Sequence, residues 1–188
     1  MNEAEAIKKI QTGDMKAFEE IFEIYKNQAI RYAYLITNNK FTSEDIVQET
    51  FIKCYLKIKD LKKVEQFKSW LFKILTRTAW EYMKKDKDVF LVEDIFEKAK
   101  NEDMDKSLDS YIRNEESKML HAEIDNLELK QKTVIVLYYF NGFTIKEIAK
   151  IMGCFEGTVK SRLHLKVALV NINSTESNSK KGCEVQCN

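Results

Sequence analysis

The chain contains no proline and only five glycines in 188 residues. That is too little punctuation for the many tight turns of a β-sandwich or barrel, and an all-α fold is expected. Histidine is equally sparse, with two residues far apart in sequence. There is no glycine-rich phosphate loop, and paired acids occur only where they cap helices or crowd a linker. An enzyme is therefore not expected, nor a cofactor. The four cysteines, at 54, 154, 183 and 187, lack the spacing of a disulfide framework and read as reduced thiols. Cys183 and Cys187 would supply half a metal site that nothing completes, and no metal is expected. The longest hydrophobic run, Thr133 to Phe140, is far short of the roughly 18 residues a membrane span needs. No basic start leads into an apolar segment, so there is no sign of membrane insertion and a cytoplasmic protein is expected.

The net charge of +1 hides a division along the chain. Residues 53–85 carry ten bases against three acids, 86–128 fourteen acids against six bases, and 129–170 seven bases against two acids. Two basic blocks flank an acidic one. Clustered positive charge attracts phosphate, although a lysine-rich face also serves simply as a solvated surface.

The stretch from Leu127 to Leu165 carries the clearest local signals. Asn141-Gly142 marks a turn, and Thr144-Ile145-Lys146-Glu147 has the form of a capping box, in which a Thr hydroxyl and a Glu carboxylate each satisfy a backbone donor at a helix start. Ile145, Ile148, Ala149 and Met152 give an apolar face about two turns long, and Gly153 stands where a helix ends in the left-handed conformation. A second helix is expected from about Glu156. Val159 and Leu163 would face inward and Lys160, Ser161 and His164 outward, as in a helix that enters a DNA groove.

The run Gly142-Phe143-Thr144-Ile145-Lys146-Glu147-Ile148-Ala149, through Gly153 to Gly157-Thr158-Val159-Lys160-Ser161-Arg162-Leu163-His164, resembles the C-terminal helix-turn-helix of bacterial sigma-70-type initiation factors. Within them it is most similar to the extracytoplasmic-function (ECF) group. Two blocks nearer the N-terminus, Asp45-Ile46-Val47-Gln48-Glu49-Thr50-Phe51 and Phe67-x-x-Trp70-Leu71-x-x-Ile74, resemble the first conserved region of the same family in the same order.

The resemblance implies two small helical domains joined by a flexible acidic linker. Residues 1–85 would bind core polymerase and the minus-10 element, 86–110 would form the linker, 111–170 would bind the minus-35 element, and 171–188 would be a polar, disordered tail. Within the first domain, Ala6 to Thr12 forms a short start and Phe18, Ile21, Phe22, Tyr25, Ala29, Tyr32 and Ile36 the stripe of a long core helix. After a break at Asn38-Asn39-Lys40, Thr42 or Ser43 is expected to cap the next helix, placing Glu44 and Asp45 in its first turn.

The implied partners are core RNA polymerase, through its β′ clamp and β subunits, and promoter DNA. An anti-sigma factor is a further candidate. By the resemblance, Asp45, Gln48 and Glu49 grip the β′ clamp from one exposed side of their helix. Lys68, Lys73, Arg77, Lys84 and Lys85 neutralise phosphate at the minus-10 element, where Trp70 and Trp80 could stack on flipped bases. Spacing favours a core position for Trp70. Ser161, His164 and Leu165 would approach base edges at the minus-35 element, Lys160 and Arg162 phosphates, and Thr158 completes that set.

The match departs from the family at several positions. Arg77 and Glu81 stand where the family usually has Asn and Asp, Phe155 where it commonly has a capping Ser or Thr, and Leu165 and Val167 where it commonly has Arg. The rival reading is a helix-turn-helix regulator acting without polymerase, which would have no need of the two N-terminal blocks.

Overall fold

A computed structural model describes residues 2–89 and 124–164, and every regular element among them is helical. The acidic stretch beyond Val89, Leu165 and Val167, the tail and its two cysteines lie outside the described residues.

A short helix α1 (Glu3–Gln11) leads to the long α2 (Met15–Thr37). Gly13, at φ 99°, turns the chain between them, and the Asp14 carboxylate accepts from the Lys16 and Ala17 N–H groups as the α2 cap. Helix α2 ends at Asn38, which adopts the left-handed conformation that asparagine tolerates better than most residues. Helix α3 (Lys40–Lys57) begins earlier than its sequence suggests. Its cap is Asn39, whose side chain accepts from Thr42 N–H, so neither Thr42 nor Ser43 is the cap and no acid falls in the first turn. Two short 3-10 turns carry the chain to α4 (Phe67–Val89), which runs past the expected domain boundary at residue 85. Ile21, Tyr25, Tyr32 and Ile36 of α2 meet Ile46, Val47 and Phe51 of α3 and Phe67, Leu71 and Leu75 of α4 in one buried cluster.

Helix α5 (Leu129–Ile135) continues as a π-helical turn over Val136–Phe140. The buried Asn141 closes this turn by donating from Nδ2 to the Val136 carbonyl at 2.9 Å. Gly142 (φ 69°) reverses the chain into α6 (Ile145–Met152), Gly153 (φ 66°) ends that helix, and α7 occupies 156–164.

The sequence does not reveal that α5 to α7 pack directly on the N-terminal bundle and share its hydrophobic core. Phe143, 3% exposed, meets Phe72 of α4 edge to face at 4.9 Å. Beside them lies a buried polar seam in which the Tyr32 and Thr76 hydroxyls bond at 2.8 Å, Trp80 Nε1–H donates to Thr133 Oγ1 at 3.0 Å, and Thr133 donates on to the Leu129 carbonyl. Burial pushes the Tyr32 phenol above its ordinary range, which keeps it a neutral hydrogen-bonding group. At the rim, Asp125 accepts from Asn38 Nδ2 and pairs with Lys132, both at 2.7 Å.

Candidate polymerase and promoter surfaces

On α3, Asp45 and Gln48 are exposed, one turn apart on the same face. Glu49 is tied down by the Lys53 ammonium at 2.7 Å, which also pairs with Glu81 of α4 at 3.0 Å. The hydrogen bond from Lys53 holds the Glu49 carboxyl below its usual value. Of the three expected polymerase contacts, two are therefore exposed on the surface and the third is held by Lys53, which itself reaches across to α4.

Gln48 borders a feature that sequence reading missed, an open apolar groove between α2 and α3 lined by Met15, Phe18, Phe22, Ile52, Tyr55 and Leu56. Met15, Ile52 and Leu56 are 51%, 61% and 72% exposed. Contiguous exposed apolar surface of this kind marks an interaction site more often than a solvated face. The signal was available: Ile52 and Leu56 are four residues apart and off the stripe of Ile46, Val47, Phe51, Cys54 and Ile58 that fills the core.

Helix α4 divides its seven expected DNA contacts. Arg77, Lys84 and Lys85 are exposed, while Trp70 and Lys73 are half-buried, with Trp70 packed 6.1 Å from the Phe67 ring. Trp70 thus packs against the core while remaining partly exposed, and is not a free platform. Lys68 and Trp80 point to the other side. The Lys68 ammonium lies 5.0 Å over the Phe143 ring and donates to the Asn141 carbonyl at 3.4 Å, and Trp80 holds Thr133. In this arrangement both belong to the contact with α5 and the turn before α6.

In the helix-turn-helix, the Thr144 hydroxyl accepts from Glu147 N–H while the Glu147 carboxylate accepts from Thr144 N–H at 2.9 Å, so the expected capping box is complete. Ile148 and Val159 are fully buried and Leu163 packs against the same core. The opposite face of α7 presents Lys160, Ser161 and His164 to solvent, with Thr158 and Arg162 half-buried at its edges. Cys54 is buried, its thiol pushed up to about 12 by desolvation, and Cys154 is half-buried; both are unpaired.

Comparison with known proteins agrees with this geometry. The description Sigma-70 region 2 matches residues 21–88, and Sigma-70, region 4 matches 117–165. The ECF RNA polymerase sigma-E factor of Haemophilus influenzae is 33% identical over 84% of this chain and 87% of its own length, and the RNA polymerase sigma factor SigV of Bacillus subtilis 31% identical over 81% and 87%. Among solved structures, CnrH, determined with the cytosolic domain of CnrY, superposes with a TM-score of 0.66 at 16% identity, covering 93% of this chain and 97% of that one. The sigma factor RpoE of Bartonella quintana, solved with the anti-sigma factor NepR, gives 0.61 at 24% identity over 79% and 91%. These two likenesses concern the fold, whereas the sequence matches run through both the α3–α4 surface and the helix-turn-helix. On that evidence the chain belongs to the ECF sigma factors of the sigma-70 family.

Proposed function

We infer that this sigma factor binds core RNA polymerase through the groove beside Gln48 and reads promoters with two separate helices. The observation that carries the reading is the coexistence, in one chain, of an exposed apolar groove on α2–α3 and an outward polar face on α7. A regulator acting alone would use the second and have no use for the first. Asp45 and Gln48 supply polar contacts at the groove margin and Ile52 and Leu56 the apolar anchor, a division suited to an amphipathic helix of the polymerase clamp. Lys73, Arg77, Lys84 and Lys85 neutralise phosphate at the minus-10 element, and α7 enters the major groove of the minus-35 element. The chain acts in the cytoplasm and has no catalytic role of its own. In keeping with the capture of RpoE by NepR, an anti-sigma factor that covers the groove would be a competitor of polymerase.

The packing of the two halves adds a requirement. Elements near minus-10 and minus-35 lie about 25 base pairs apart, or ~85 Å at ~3.4 Å per pair. Helix α4 and the turn before α6 are in contact. Engagement of both elements therefore requires the halves to part, which also releases Lys68 and Trp80 to the minus-10 strand.

Core binding tests the groove. Ile52→Lys with Gln48→Ala changes only exposed side chains, so the helical circular dichroism should be unchanged while affinity for core polymerase falls at least tenfold, about 1.4 kcal/mol. Unaltered binding by the double variant would remove the groove from the account.

A further inference from the structure

Among the described residues, Phe155 is the most exposed large apolar side chain, at 85%. Its carbonyl accepts from the Thr158 and Val159 N–H groups, so it occupies the N-cap of α7. A Ser, Thr, Asp or Asn side chain there would satisfy an otherwise unpaired helix donor, and phenylalanine offers none. The ring therefore adds nothing to the cap, and its exposure shows that it adds little to the core. Its placement suits a different purpose. The first residues of the second helix in a helix-turn-helix meet base edges in the major groove. Phe155 shares a shallow depression with Lys146 and Lys150, and Lys160 lines the adjoining one, so cations suited to phosphate lie on the same surface as the ring. The Glu156 carboxylate also lines the depression and would repel a phosphate, which leaves base edges as the natural target of the ring itself.

The thymine C5-methyl is the apolar group exposed on the major-groove floor, and phenylalanine is among the side chains that pack on it. We propose that Phe155 is a specificity-determining residue whose ring packs on the methyl of one thymine in or beside the minus-35 element. The proposal rests on the promoter-reading role argued above. Phe155 precedes Ser161 by six positions, about 9 Å along a helix, which places that thymine within about three base pairs of the bases nearest Ser161.

The test uses the full chain with core polymerase on promoters identified from its own transcripts. Each thymine of the minus-35 region is replaced in turn by deoxyuridine, which removes the methyl and nothing else. For the wild type, one replacement should weaken promoter binding about fourfold, the effect of one buried methyl-sized group. Phe155→Ser, which supplies a proper cap and keeps the helix, should be indifferent to that same replacement, whereas His164→Ala should remain sensitive to it. Phe155→Leu, still apolar, should retain part of the effect. The proposal is overturned if the wild type responds to no thymine, if Phe155→Ser responds as the wild type does, or if the promoters share no thymine at that distance. Loss of polymerase binding by Phe155→Ser with an unchanged deoxyuridine response would instead make the ring a protein contact. Absence of any promoter-directed initiation by the wild type would overturn the sigma-factor reading as well, while normal initiation without a thymine effect would overturn this inference alone.

Discussion

At the scale of single residues, α7 separates two kinds of work. Val159 is buried and Leu163 packs on the core, which leaves Lys160, Ser161 and His164 on the exposed face proposed to meet DNA. His164→Ala should change promoter preference, at a discrimination cost of about 1–3 kcal/mol if it makes one good base contact. Lys160→Ala should lower affinity for all sequences alike and reduce the salt dependence by about one unit of slope for a lost phosphate contact. Binding of both variants to matched and scrambled promoter DNA across a salt series separates these effects, and equal sequence-blind losses would mean that His164 reads no base. The inward and outward positions of α7 were legible in the sequence because helical period alone decides them. The fate of Glu49 was only half legible. Lys53 four residues on predicts an ion pair on the same helix face, but Glu81, the second partner of that lysine, comes from another helix. Nothing local in sequence brings it there.

Among the elements, α6 was the most legible and α3 the least at its start. The capping box, the apolar stripe and Gly153 all give the same α6, and the structure has each. At α3, Asn39, Thr42 and Ser43 are all competent caps. Tertiary packing decides between them by burying Ser43, whose hydroxyl then donates to the Asn39 carbonyl. The π turn after α5 has no sequence signature of its own, and Asn141 reaches back across it to Val136. The capping box also predicts a pH dependence. Hydrogen bonds from the Thr144 backbone and hydroxyl hold the Glu147 carboxyl below its ordinary value of 4.5. A depressed carboxyl stabilises the fold when ionised, so its contribution is complete above the unfolded pKa and is lost as pH falls through the lower folded one. Glu147→Gln should therefore melt below the wild type at about pH 6, and the difference should shrink towards about pH 3. A difference in melting temperature that stays constant over that range would show that the carboxylate charge is not involved.

For the whole molecule, the contact between the two halves was the part the sequence concealed. Lys68 and Trp80 carry the charge and ring expected of DNA contacts, and only the fold shows them facing Phe143 and Thr133. Under the proposed reading, these two side chains would turn to DNA only after the halves part. Fluorophores at the exposed positions 84 and 150 should report short separation in the free protein and a large increase when core polymerase and promoter DNA are added together. An unchanged separation would mean that the halves do not part and that one chain does not span both elements in the way proposed. The central claim, that this chain directs polymerase to promoters, is tested most directly by adding the purified protein to core RNA polymerase on genomic DNA and mapping the 5′ ends of the transcripts. The account predicts a limited set of new start sites, each preceded by a shared pair of sequence elements at fixed spacing near minus-10 and minus-35. Start sites identical to those of core polymerase alone would contradict it.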